Sequence, residues 1–164
     1  MTASDPATDS VDFALAAYRE EGGWQVAELT PDHATDVETL AAALRRFPGD
    51  GGVVGFVAVE EDFFVVVRVV GPRTRVMLSD ITAATEWELA AVVVEHLGLP
   101  PVEDDDDPEP AGDLELLSDL GVDAMDLAAI LDDDELYPDE MLSEIARALG
   151  FGDLFDDVVG LTSA

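Results

Sequence analysis

The stretch Val53 to Ser79, VVGFVAVEEDFFVVVRVVGPRTRVMLS, constrains the fold more than any other part of the chain. It reads as three consecutive β-strands, interrupted at Glu60-Glu61-Asp62 and at Gly71-Pro72, and is rich in the β-branched and aromatic residues that fit a pleated, buried surface. The middle segment, Phe63 to Val70, carries one charge, Arg68, among eight residues. A strand with one wet face alternates apolar and polar residues. This one does not, so both of its faces are expected to meet protein, and it is expected to lie at the centre of a sheet.

The segments before and after supply partners for that sheet. Asp12 to Arg19 and Trp24 to Leu29 predict a hairpin around the turn signal Glu21-Gly22-Gly23. Thr35-Asp36-Val37-Glu38 matches a capping box, in which threonine and glutamate side chains satisfy backbone donors at a helix start. Val37, Leu40, Ala41, Leu44 and Phe47 follow at helical spacing, with Arg45 and Arg46 near the C-terminal end, where cations are favoured. After the strands, Thr85-Glu86-Trp87-Glu88 is a second capping box, and Trp87, Ala91, Val94 and Leu97 form the expected apolar stripe of a second helix, ended by Gly98 and Pro100-Pro101.

The predicted order is ββαβββα. The fold class is therefore α+β, an antiparallel sheet of about five strands with two packed helices. An acidic linker and a small helical C-terminal region follow. The expected boundaries are a disordered N-terminus over 1–11, a sheet domain over 12–99, an acidic, proline-rich linker over 100–112, and a helical region over 113–164. Within the last, short helices are predicted over Asp113–Leu120, Val122–Leu131 and Pro138–Leu149, with a further turn or two over Phe151–Val159. Pro138–Leu149 has the clearest pattern, with Met141, Leu142, Ile145, Ala148 and Leu149 on one face. So small a helical unit is marginal alone and is expected to dock on the sheet or on a partner.

Charge decides which partners are plausible. The chain has 38 acidic residues against seven arginines and no lysine, a formal net charge of −31. A polyanion repels nucleic-acid phosphates and anionic membrane surfaces, so direct nucleic-acid binding and membrane association are not expected, and the natural partner is a basic protein. The acidity is densest from Glu103 to Glu140, where 17 of 38 residues are acidic and none is basic. Two runs stand out as an acidic partner-binding segment: Asp104, Asp105, Asp106 and Asp107, and Asp132, Asp133, Asp134 and Glu135. The same runs would also serve as a solubilising surface. No apolar run approaches the ~18 residues a membrane span needs, and the polar, acidic start MTASDPATDSV is unlike a signal peptide, so a cytoplasmic location is expected.

Catalytic chemistry finds little support. With no cysteine, thiolate zinc sites and cysteine nucleophiles are excluded. His33 and His96 have no partners at metal-binding or catalytic spacing, and no phosphate loop, dinucleotide fingerprint or nucleophile elbow is present. Asp132-Asp133-Asp134-Glu135 lacks the alternating ligands and glycine bend of a calcium loop. No cofactor, metal or catalytic residue is therefore assigned. Arg68, Arg73 and Arg75 are three of the seven cations and fall on neighbouring strands, where Arg68 and Arg75 would share a face across a short turn. They would contact an anion or a partner, or else pair with carboxylates such as Glu60, Asp62 or part of the acidic tail.

Asp119-Leu120-Gly121-Val122-Asp123-Ala124-Met125-Asp126-Leu127 is similar to the attachment site of acyl carrier proteins, but Ala124 stands where that family carries its serine. Without a hydroxyl no prosthetic group can be attached. Over about residues 12 to 159 the chain resembles the actinobacterial tRNA adenosine deaminase-associated proteins. The resemblance is carried by DFALAAYRE from Asp12, by DFFVVVRV, by LSDITAATEW from Leu78, by AGDL from Ala111 and by LYPDEML from Leu136. It implies a role beside a deaminase and brings no catalytic residue with it. The deaminase itself needs a histidine two residues before a glutamate and a PCxxC pair for its zinc. Here His33 is followed by Ala34-Thr35, and there is no cysteine.

Two functions are thus expected. The first is a non-catalytic accessory protein that binds a basic partner, such as the deaminase, through its acidic C-terminal segment. The alternative is a small-molecule or anion sensor that uses Arg68, Arg73 and Arg75.

Overall fold

Three strands follow one another between Val53 and Leu78: β3 (Val53–Val59), β4 (Phe63–Val70) and β5 (Arg73–Leu78). With β1 (Val11–Glu20) and β2 (Gly23–Glu28) they form an antiparallel sheet, joined at one edge by the two-residue β6 (Ala111–Gly112) in the order β2-β1-β3-β4-β5-β6. The chain's structure is a computed structural model that describes residues 11–20, 23–29, 37–47, 52–59, 63–85, 87–100, 103, 109–132 and 137–159. The predicted turn at Glu21-Gly22, Thr35 and Asp36 of the first capping box, and residues 1–10 lie outside these.

The fold is α+β, as expected, with six strands where about five were predicted. The sixth escaped prediction because its pairing owes nothing to hydrophobic alternation. Met77 pairs with Gly112 and Leu78 with Ala111. Gly112 has φ +97°, and a Cβ there would come within 2.3 Å of the Val76 carbonyl oxygen, so only glycine can lie this close to the edge of β5.

Both faces of the central strands are buried, and different parts of the chain cover them. On one side Val57, Phe63, Val65, Val67 and Val76 pack under α1 (Val37–Leu44) and α2 (Glu88–His96). Helix α1 sits close: Gly55 on β3 leaves no Cβ, and one placed there would lie 2.8 Å from Leu44 Cδ1. On the other side Leu15, Phe56, Phe64, Val66 and Met77 meet the C-terminal helices α3 (Ala124–Leu131), α4 (Pro138–Leu149) and α5 (Gly152–Val159). The C-terminal region therefore docks on the sheet. Its burial explains why β4 reads as an unbroken apolar run rather than an alternating one.

Local signals fared unevenly. Helix α1 buries Val37, Leu40, Ala41 and Leu44 as the spacing predicts, and Phe47 packs at a tilt against Tyr18 with ring centroids 5.2 Å apart. Helix α4 has the predicted span, with Pro138 in its first turn, the Glu140 side chain accepting from the Tyr137 N–H at 3.1 Å, and Gly150 at φ +113° closing its C-terminus. The second predicted capping box is offset from the helix start. Helix α2 is preceded by Trp87 with no side-chain cap, and Thr85 ends a separate 3-10 turn over Ile81–Thr85, its hydroxyl donating to the Thr82 carbonyl. The stripe of α2 is Leu89, Ala90, Val93 and Val94, while Ala91 is exposed. The helix expected over Asp113–Leu120 is a turn followed by a 3-10 helix at Ser118–Leu120, because the Asp113 carboxylate accepts the Glu115 N–H at 2.9 Å and holds the chain in a turn instead.

Candidate functional site

The C-terminal layer is fastened to the sheet at two places, one aromatic and one ionic. At the first, the indole N–H of Trp24 on β2 donates to the Leu149 carbonyl at 3.1 Å, the end of α4. Phe151, 1% exposed, lies with its ring centroid 4.7 Å from Trp24 and 5.8 Å from Phe56, and Phe155 meets Phe56 edge-on at 5.8 Å. Such ring pairs add to the burial of their surface. Helices α4 and α5 are tied to each other by the Ser143 hydroxyl, which donates to Asp156 at 2.7 Å.

The ionic fastening is built on the arginines of β4 and β5. Arg68 and Arg75 are direct partners in the antiparallel register, and both face the C-terminal layer. Two cations so placed repel one another unless anions intervene, and both anions come from the segment after β6. Arg68 is buried, 1% exposed. Its Nη1 donates to Asp119 Oδ1 at 2.7 Å and to the Leu116 carbonyl at 3.0 Å, and its Nη2 donates to Asp119 Oδ2 at 3.0 Å, a two-pronged grip on the carboxylate. Arg75 Nε lies 2.7 Å from Asp113 Oδ2, with both side chains partly exposed.

Sequence order places these carboxylates. Strand β6 and the bond from the Asp113 N–H to the Val76 carbonyl at 2.9 Å lay Asp113 beside β5. Six residues later the 3-10 helix presents Asp119, and Leu116 and Leu117, both fully buried, wedge the intervening turn into the sheet. The Arg68 guanidinium, through its hydrogen bonds, is the first cause holding the Asp119 carboxyl below the ordinary carboxylate range. Burial opposes this, and the charges of Arg68 and Arg75 assist it together with a backbone hydrogen bond.

Of the residues singled out in the sequence, the structure thus brings Arg68 and Arg75 together and directs both at carboxylates of the acidic tail. Arg73 is exposed at the start of β5, opposite Val70. Asp132 is the exposed C-cap of α3. Asp104 to Asp107 and Asp133 to Glu135 lie outside the described residues. His96 is exposed in the last turn of α2. Asp113 and Asp119 are not among the candidate site residues read from the sequence. A signal for them existed in AGD at 111–113, where a glycine able to pass a strand edge precedes an aspartate able to hold a turn.

Residues 12–152 match the family model described as Rv3753c-like tRNA adenosine deaminase-associated protein. The chain belongs to this family. The matched span takes in the sheet, both arginines and both of their carboxylate partners. Protein Rv3753c of Mycobacterium tuberculosis is 40% identical over 158 residues, covering 94% of this chain and 91% of that protein. No solved structure matches the chain. Among the described residues no helix is long and apolar enough to cross a membrane.

Proposed function

We propose that the chain is a non-catalytic accessory protein that binds a basic protein, the tRNA adenosine deaminase of its family's description, through its acidic C-terminal segment. The observation that carries this reading is the charge of residues 103–140, 17 carboxylates with no basic residue, in a family described as deaminase-associated. Enzymes that bind tRNA present cationic surfaces to the phosphate backbone. A segment of opposite sign would steer encounter with such a surface and compete there with RNA.

The pattern of internal ion pairs supports it. Arg68, Arg75 and Arg147 all pair with carboxylates of the C-terminal third, namely Asp119, Asp113 and both Glu144 and Asp156. None of these four carboxylates belongs to the runs Asp104–Asp107 and Asp132–Glu135. They also engage Arg68 and Arg75 with the chain's own carboxylates, which weighs against the anion-sensing alternative.

Co-purification of the chain with the deaminase at low and at moderate salt tests the proposal. A complex that forms at low salt and weakens as salt rises is the expected result; no complex at either salt removes it.

A further inference from the structure

Helix α3 does not behave as its composition requires. Seven of its eight residues, AMDLAAIL, are apolar, yet Leu127 is its one buried residue. Met125 is 82% exposed, and Ala128 and Ala129 are exposed beside it. At ~100° per residue, positions 125, 128, 129 and 132 share one side of the helix. A methionine therefore stands over two small alanines on the solvent side, and Asp126 and Asp132, both exposed, border it. A helix apolar all round is normally buried all round. Here Leu127 enters the core beside α4, and water meets the other side.

The geometry points to this side of α3 as the docking surface for the basic partner, and this inference rests on the function proposed above. The occupant is a protein surface that offers an apolar side chain ringed by arginine or lysine. Met125, unbranched and polarisable, adapts to an irregular apolar surface, and the alanines let the partner approach the helix closely. The aspartates choose the sign of the rim. Asp132 also begins the acidic run that ends at Glu135, so the apolar contact and the long-range attraction adjoin in sequence. A second copy of this chain is disfavoured on the same ground: it would set Asp126 and Asp132 against their own kind on a molecule of formal charge −31.

The test compares the full chain, Met125→Arg and Ala91→Arg for binding to the deaminase at low and moderate salt. Ala91 is exposed on α2, across the sheet, so it carries the same charge change on the opposite face. The expected result is near-normal binding by Ala91→Arg and a loss on the order of tenfold or more for Met125→Arg, a loss typical of a central interface residue. Thermal unfolding should stay unchanged, because position 125 contributes nothing to the core. Joint replacement Asp126→Asn and Asp132→Asn should flatten the salt dependence instead. Met125→Arg binding as tightly as the parent would overturn the inference and leave the basic-partner reading standing. Absence of any complex with the parent chain would overturn both. A self-associated parent that Met125→Arg renders monomeric would assign the face to a second copy and overturn the inference as well.

Discussion

Arg68 and Arg75 stand directly opposite one another on β4 and β5, and each reaches a different aspartate of the C-terminal layer, Asp119 and Asp113. Like charges in that register would push the strands apart. Here they become the reason the acidic layer lies on this face of the sheet and in this register.

The two members of the Arg68–Asp119 pair should respond unequally to mutation. The arginine side chain is 2% exposed and the aspartate side chain 62%. Removing the exposed partner strips a buried cation of its two-pronged anion, whereas removing the buried one leaves a carboxylate that water can reach. Asp119→Ala is expected to cost about 2–3 kcal/mol, and Arg68→Met, close in volume and apolar, clearly less. Urea unfolding of both variants measures the difference, and equal costs would contradict the asymmetry.

The same pair sets part of the acid limb of stability. The Asp119 carboxyl is held below the ordinary carboxylate range in the folded chain. Its contribution is thus complete above the pKa it has when unfolded, about 4, and fades as pH falls through the lower, folded value. Asp119→Asn should be less stable at neutral pH and should show a shallower loss below about pH 4. Unfolding free energy followed against pH for both proteins would reveal it; parallel curves would argue against the linkage.

Phe151 should be the costliest single truncation in the aromatic fastening. It is buried between Trp24 and Phe56, at the residue after the α4 cap. Phe151→Ala is expected to cost about 3–5 kcal/mol, and Trp24 fluorescence should shift to the red as the indole gains water. A loss under about 1 kcal/mol would mean that the C-terminal layer is held by its other contacts.

Gly112→Ala tests whether β6 positions the second aspartate. The backbone there has φ +97°, and the added methyl would meet the Val76 carbonyl. We expect a loss of about 2 kcal/mol or more, along with loss of the Arg75–Asp113 pair, so that adding Arg75→Ala to Gly112→Ala costs little more. Full additivity in that double-mutant cycle would show the two features to be independent.

Much of the architecture is legible where hydrophobic period and composition act locally. The three-strand run announces itself through Val, Phe and the breaks at Glu60-Glu61-Asp62 and Gly71-Pro72, and α1 and α4 announce themselves through spacing. The second helix was misplaced in detail because a capping box is only a permissive pattern. Thr85 instead ends the 3-10 turn over Ile81–Thr85, and the helix starts three residues later, at Glu88. Helix α3 shows the opposite failure: its composition suggests a fully buried element, but burial depends on what lies above it, and above Met125 there is solvent.

The candidate site divides in the same way. That Arg68, Arg73 and Arg75 lie on adjacent strands, and that Arg68 and Arg75 share a face, follows from strand alternation across a short turn. Which carboxylates answer them does not, because Asp119 lies 51 residues from Arg68 along the chain and many other aspartates are nearer or as acidic.

By itself, then, the sequence determined the α+β class, the three consecutive strands with β4 at the centre of the sheet, the absence of thiol chemistry and the extreme acidity, since each follows from local pattern or from composition. Tertiary structure alone decided that the C-terminal layer covers the second face of the sheet, that Asp113 and Asp119 rather than their neighbours neutralise the arginines, and that Met125 is left in water. Those outcomes depend on distances between segments remote in sequence, and no local preference encodes such distances.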